Sequence, residues 1–101
     1  MRVVFAPLAE RQLDEIYAYI AERSGRERAR TYLARIVSFC HGLGIFPLRG
    51  QKRSDLIPGL RTTVFERRVV VVFMVRSDTV LIEGIFSAGR DYETALRSAD
   101  E

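Results

Sequence analysis

The sequence lacks the residues on which most metal and redox sites depend. Its 101 residues include one cysteine, one histidine and no tryptophan. A single cysteine cannot form an internal disulfide, and metal sites need several clustered His, Cys or carboxylate groups. Cys40 and His41 are adjacent, and neighbours on a helix point about 100° apart, so they are poorly placed to share an ion. We therefore expect no metal and no cofactor, with Cys40 as a core residue and His41 near a helix end.

Long hydrophobic runs are also missing. The longest apolar segment, residues 69–75, is about a third of the roughly 20 residues that a membrane-spanning helix needs. The first ten residues contain no extended apolar core of the kind found in signal peptides. An apolar share of 48% is enough for one folded core. We expect a soluble cytoplasmic protein with one domain over residues 1–101 and no membrane partner.

Recognisable catalytic motifs are absent too. The segment Gly42-Leu43-Gly44 has neither a preceding strand nor the third glycine of a phosphate-binding loop. A nucleophilic dyad would need Cys40 or a serine beside a base, but His41 follows Cys40 on a helix that looks core-packed. No catalytic residue is assigned, and the sequence favours binding over catalysis.

Basic charge is plentiful and is concentrated in the middle of the chain. Of the 16 basic residues only Lys52 is not arginine, which a GC-rich genome or a role in interfaces would each explain. Residues 49–76 carry seven basic and two acidic side chains, a net charge of +5. Residues 77–101 carry two basic and six acidic side chains, a net charge of −4. The middle segment should therefore attract an acidic partner.

Hydrophobic spacing predicts a strand followed by a helical hairpin. Residues 2–6 have strand character, and Pro7 suits the first turn of a helix. Two apolar stripes with helical spacing follow, separated by Ser24-Gly25, and a link of about three residues makes the helices antiparallel. The stripes are Ala9, Leu13, Ile16, Tyr17 and Ile20, then Ala29, Tyr32, Leu33, Ile36, Val37, Cys40 and Leu43.

The second half has strand character. Residues 47–59 are rich in Pro, Gly and charge and are predicted to be a loop, and strands follow over 61–65, 69–75 and 80–86. The continuous apolar run at 69–75 indicates a central strand, with the hairpin on one face and a partner or the tail on the other. A short last helix is predicted over 92–98. The fold class is α+β, in the order β-α-α-β-β-β, with a mainly antiparallel sheet of about four strands.

Four arginines on the predicted strands and their loops are the main candidates for function. They would contact the phosphates of nucleic acid or the carboxylates of an acidic protein, or they would simply line a solvated strand face. Aromatic interleaving is modest, because Phe65, Phe73 and Phe86 are equally well explained by core packing. The four are Arg61, Arg67, Arg68 and Arg90.

Several segments in this order resemble ParE toxins of the RelE/ParE superfamily. They are Phe5-Ala6-Pro7-Leu8-Ala9-Glu10 with residues 13–21, then Phe46-Pro47 with Gly50, then Pro58-Gly59-Leu60-Arg61, and finally residues 84–92 with their Gly-Arg-Asp turn. The resemblance spans nearly the whole chain. Two positions depart from the family pattern: Ser87 stands where a His often precedes that turn, and Glu66-Arg67-Arg68 replaces a glycine-containing entry to the central strand.

The resemblance implies a toxin that inhibits DNA gyrase and is neutralised by a cognate ParD-like antitoxin. On this hypothesis Arg61, Arg67, Arg68 and Arg90 contact the target, without sequence-specific nucleic-acid binding by the toxin alone. The antitoxin contacts Tyr17, Tyr32, Arg61 and Arg76, with Tyr19 as a further candidate. One alternative is a ribosome-dependent mRNA endonuclease of the RelE type, which the missing histidine at position 87 disfavours. A second alternative is an inactive relic that still binds antitoxin.

Overall fold

The computed structural model describes residues 1–87 and Glu93, and its elements run in the predicted order. Strand β1 spans Arg2–Phe5 and is followed by helices α1, Pro7–Ser24, and α2, Arg26–Gly42. Four strands follow: β2 is Gln51–Lys52, β3 is Leu60–Phe65, β4 is Val69–Arg76 and β5 is Thr79–Ser87. The α+β class and the N-terminal strand before a helical hairpin are confirmed.

The helical hairpin turns on one residue rather than the predicted three. Pro7 opens α1, where its missing N–H costs no hydrogen bond. Gly25 links the helices: its N–H donates to the carbonyl of Ala21, and its own carbonyl accepts from the N–H of Ala29. Its φ of 94° lies in a region that side chains disfavour, so glycine is suited to a link this short.

The sheet has five strands rather than about four, in the order β1-β5-β4-β3-β2. The additional strand is β2, whose two residues lie within the predicted loop 47–59. Gln51 pairs with Thr62 and Lys52 pairs with Arg61. This strand has no hydrophobic alternation because both its side chains are exposed, so only its pairing with β3 defines it. Strand β4 lies at the centre, as predicted.

Both faces of the sheet bury apolar side chains, which explains the continuous apolar run of β4. The face under the helices buries Val71 and Phe73, together with Ile36 and Cys40 of α2. The opposite face buries a smaller cluster, Leu60, Val72, Met74 and Phe86, against Leu8, Leu56 and Ile57. The loop before β3 and the start of α1 therefore cover part of the second face.

The predicted short helix over 92–98 lies outside the described residues, except for Glu93. The carboxylate of Glu93 accepts a hydrogen bond from Nη1 of Arg53 at 3.0 Å, and Arg53 also pairs with Asp55. This pair places position 93 beside the loop that precedes β3. In the described part of the chain, no helix is long and apolar enough to cross a membrane.

Candidate functional site

The turn between β3 and β4 has an uncommon backbone for its residues. Glu66 and Arg67 have φ values of 49° and 60°, and the N–H of Arg68 donates to the carbonyl of Phe65 at 3.0 Å. Positive φ at both central residues of a turn is disfavoured for most side chains and is usually found at Asn and Gly. The turn thus forms without the glycine that is usual at this place in the family that the sequence resembles.

A bidentate ion pair links this turn to helix α2. Nε and Nη2 of Arg35 donate to the two carboxylate oxygens of Glu66 at 3.0 and 2.7 Å. Such fork-to-fork pairs fix orientation as well as distance. The pair therefore links the backbone of the turn, which carries the exposed Arg67 and Arg68, to the helical hairpin.

Arg68 borders a groove between the helical hairpin and the adjacent ends of β4 and β5. The groove consists of two adjoining depressions of about 520 and 750 Å³, and we call it the Tyr32–Arg68 groove. Four side chains line both depressions: Tyr19, Ile20, Tyr32 and Arg68. The guanidinium of Arg23 lies 3.9 Å from the centre of the Tyr19 ring, a cation–π contact at the mouth of the groove.

The surroundings of Tyr32 in the groove shift the pKa of its hydroxyl. Its ring is half-buried, with its centroid 6.0 Å from that of Phe65. Burial raises the pKa of Tyr32, and the negative charge of Glu66 adds to this, while Arg68 and Arg35 oppose it. The hydroxyl therefore stays protonated at neutral pH and can act in hydrogen bonding rather than as a base.

Gln12 links α1 to the edge of β5 where that strand lines the Tyr32–Arg68 groove. β1 covers the outer edge of β5 only as far as Ile82, and Glu83 forms a bulge opposite the Val72–Phe73 step. Beyond the bulge, the N–H of Ile85 donates to Oε1 of Gln12 at 2.6 Å. This hydrogen bond provides a partner for a strand-edge donor and fixes α1 beside the end of β5.

The side chain of Arg61 lies apart from the turn that carries Arg67 and Arg68. It is half-buried on β3, and its Nη2 and Nε donate to the carbonyls of Leu48 and Arg49 at 2.5 and 3.3 Å. Its guanidinium thus holds the loop after α2. Arg90 lies outside the described residues. The structure brings together two of the four predicted target-binding arginines.

The predicted antitoxin contacts are likewise spread over the molecule. Tyr32 lines the Tyr32–Arg68 groove, whereas Tyr17 is half-buried on α1 and lines neither depression. Arg76 lies at the far end of β4, with Nη2 4.0 Å from Sδ of Met74. Arg76 lies eight positions along the chain from Arg68, roughly 27 Å at strand spacing.

The sequence reasoning missed a second exposed surface. Ile45, Phe46 and Leu48, between α2 and β2, are 74%, 61% and 72% exposed. Their signal was the run Ile45-Phe46-Pro47-Leu48 within a charged loop, of which only Phe46-Pro47 was used, as part of the family resemblance. The Arg35–Glu66 pair was also missed, because its partners are distant in the sequence.

The described residues offer little for metal or thiol chemistry. Across residues 1–87 and Glu93, no group of three His, Cys, Asp or Glu side chains could hold an ion. Cys40 is fully buried, and burial raises its pKa to about 12. Because the thiolate is the reactive form, this cysteine is a poor nucleophile at neutral pH.

Comparison with known proteins identifies the family. The family model described as "ParE toxin of type II toxin-antitoxin system, parDE" matches residues 3–92. Toxin ParE3 of Caulobacter vibrioides is 35% identical over 81 residues, which cover 80% of this chain and 81% of that protein. A solved structure titled "Chromosomal ParDE TA system from P. aeruginosa" matches with a TM-score of 0.75 and 27% identity, over 86% of this chain and 95% of that one. The chain therefore belongs to the ParE toxin family.

Proposed function

We propose that this ParE-family toxin inhibits DNA gyrase and that a cognate ParD-like antitoxin neutralises it. The observation that carries the proposal is Arg68 beside Tyr32 in a groove whose wall is held by the Arg35–Glu66 ion pair. A cation held in place at an open groove suits recognition of a carboxylate on a large partner. The protein would act in the cytoplasm and stabilise the plasmid or chromosomal locus that encodes it.

The chemistry of the groove favours binding over cleavage. Its described lining contains two tyrosines, two glutamates and four arginines as titratable groups: Tyr19, Tyr32, Glu15, Glu27, Arg23, Arg28, Arg35 and Arg68. RNA cleavage needs a group that exchanges protons near neutral pH. Tyr32, with its raised pKa, and the permanently charged arginines are poorly suited to that exchange. Ser87, at the end of β5, occupies the position where related toxins often carry histidine.

The predicted site residues then divide between two roles. Arg67 and Arg68, with Arg90, would contact gyrase directly, whereas Arg61 would act through the loop that it holds. An antitoxin that reaches Tyr32 would cover Arg68, since both line the same groove. Neutralisation would follow from occlusion. Tyr17 and Arg76 would be contacts of other antitoxin segments.

A supercoiling assay tests the proposal. The purified chain should inhibit gyrase, and Arg68→Ala should lower the potency by about tenfold, the effect of losing one well-placed charged contact. The matched control is Arg11→Ala, which removes an exposed arginine of α1 outside the groove and should leave the potency unchanged. Full gyrase activity at high toxin concentration would reject the proposed target.

Expression in cells and assays of the purified chain distinguish the two alternative functions. Growth arrest with uninhibited gyrase and cleavage of mRNA on purified ribosomes would assign the protein to the endonuclease class. Tight antitoxin binding without growth arrest would identify an inactive relic. Neither assay requires the toxin alone to bind a specific DNA or RNA sequence, and we expect no such binding.

A further inference from the structure

The two depressions of the Tyr32–Arg68 groove differ in the charge of their lining. The smaller depression has one arginine and one glutamate, Arg68 and Glu15, among mostly apolar side chains of α1, β4 and β5. The larger depression has four arginines and one acidic side chain: Arg23, Arg28, Arg35, Arg68 and Glu27. The larger depression is therefore the cationic part of the groove, and Arg68 lies where the two parts meet.

The cations come from three elements of the fold. Arg23 lies in the last turn of α1, and Arg68 lies in the turn before β4. Arg28 and Arg35 lie on α2 about two helical turns apart, so they share one face of that helix over roughly 10 Å. The cationic surface is therefore assembled by the fold and is not a run of basic residues in one loop.

Most of this positive charge is not neutralised by a described carboxylate. Arg35 is bound to Glu66. Within residues 1–87 and Glu93, the other three arginines of the larger depression form no ion pair. The guanidinium of Arg23 lies 3.9 Å from the centre of the Tyr19 ring, a contact that orders the side chain without cancelling its charge. A ligand of this surface is therefore anionic.

The other polar groups of the larger depression match a phosphate backbone. They are hydroxyls, those of Tyr19, Ser24, Thr31 and Tyr32. Arginines and hydroxyl side chains are common contacts to phosphate in protein–DNA complexes. One arginine is enough for a single carboxylate, whereas a duplex carries a charge every 1.7 Å or so along its axis and matches several cations spread over roughly 10 Å.

Side chains that read bases or stack on unpaired strands are scarce at this surface. The sequence has no asparagine, and its two glutamines lie outside the lining of the larger depression. Arg23 covers one face of the Tyr19 ring, and Tyr32 is half-buried against Phe65. The chemistry therefore favours the backbone of a duplex over a base sequence or a single strand.

We propose that the larger depression contacts the phosphate backbone of duplex DNA, independently of its sequence, through Arg23, Arg28 and Arg68. This rests on the proposed function in one respect: gyrase holds a DNA duplex, so a toxin bound to gyrase is placed close to DNA. The smaller, more apolar depression would contact the protein, and the larger depression would contact its DNA. Arg68 would lie at the junction of the two.

Fluorescence anisotropy with a labelled DNA duplex tests this contact without gyrase. The groove variant combines Arg23→Gln with Arg28→Gln, and the control variant combines Arg2→Gln with Arg11→Gln. The control removes the same charge from positions outside the groove. All four positions are exposed, so both variants should melt close to the wild-type temperature.

The salt dependence of binding counts the phosphate contacts. Each contact adds about 0.9 to the slope of log affinity against log salt concentration, so three contacts predict a slope of about −2.7 for the wild-type chain and the control variant. The groove variant should keep one contact and a slope of about −0.9. From about 50 to 200 mM salt, the wild-type affinity should fall roughly 40-fold and that of the groove variant about 3.5-fold. Two duplexes of unrelated sequence should bind equally well.

Equal affinities and slopes for the groove and control variants would overturn the proposal, as would wild-type binding too weak to detect at low salt. Tighter binding to single-stranded RNA, lost only by the groove variant, would overturn it by assigning the arginines to an RNA-binding surface. Weaker binding of the groove variant to DNA-free gyrase, with unchanged DNA affinity, would overturn it by assigning them to carboxylates of the target protein. Failure of the wild-type chain to inhibit gyrase would reject the proposed target, and the anisotropy measurement would still decide this proposal.

Discussion

Replacing Gln12 with methionine removes the side-chain oxygen that accepts the hydrogen bond from the N–H of Ile85. Methionine has a similar length, so the change removes a polar atom without opening a large cavity. A partly buried donor left without a partner costs about 1–3 kcal/mol. For a domain of this size, each kcal/mol lowers Tm by roughly 4–8 °C. We expect Gln12→Met to destabilise the fold by that amount and to speed hydrogen exchange at the Ile85 amide.

Two controls isolate the hydrogen bond in a denaturant unfolding series. Gln12→Glu keeps an oxygen at the same position and should retain most of the stability. Gln51→Met makes the same substitution on the exposed strand β2 and should change the stability by less than about 0.5 kcal/mol. The reasoning would be refuted if Gln12→Met matched the Gln51 control, or if Gln12→Glu were as destabilised as Gln12→Met.

Three further predictions concern the backbone and the buried thiol. Arg67→Gly should raise the denaturant midpoint slightly. Arg67 has a left-handed backbone that costs a non-glycine residue about 1–2 kcal/mol, and removing this cost outweighs the greater conformational entropy of glycine in the unfolded chain. A lower midpoint would contradict this. Gly50→Ala should lower Tm strongly, since Gly50 has a φ of 81° and a Cβ there would collide with the carbonyl of Thr62; a Tm equal to wild type would show that this contact is not tight. Cys40 should resist DTNB at pH 8 until the protein unfolds, and because folding raises its pKa from 9.0 to about 12, stability should fall as the pH rises through that window. Rapid labelling of the native protein would contradict the last prediction.

The sequence alone was sufficient to predict the helices and strands in which apolar residues follow a regular pattern. The apolar stripes of α1 and α2 marked both helices, and the seven-residue apolar run marked β4 as the central strand. These signals work because one-sided and two-sided burial leave different patterns of apolar residues. Strand β2 leaves no such pattern, since Gln51 and Lys52 are exposed and are strand residues only through pairing with β3.

The candidate site was predicted less completely because its arrangement depends on contacts between distant segments. Sequence reasoning selected Arg61 and Arg68 as similar cations. In the structure Arg68 borders an open groove, whereas Arg61 is engaged with two carbonyls of the loop after α2. The Arg35–Glu66 pair joins residues 31 positions apart, and no local pattern indicates such a pair.

The turn at Glu66 and Arg67 illustrates the same limit. Glu66-Arg67-Arg68 replaces the glycine-containing entry of the family that the sequence resembles, and both Glu66 and Arg67 adopt positive φ. What the sequence did not indicate is the compensation: Glu66 is held by Arg35 of α2. A local conflict resolved by a tertiary contact is characteristic of sites where geometry matters for function.

The most direct test of the central claim is a gyrase supercoiling reaction in which the purified chain is added with or without its cognate antitoxin. The account predicts that the toxin alone inhibits supercoiling, that antitoxin added first restores it, and that Arg68→Ala inhibits about tenfold less well than Arg11→Ala. Supercoiling that proceeds normally with the toxin alone, or inhibition that does not depend on Arg68, would contradict it.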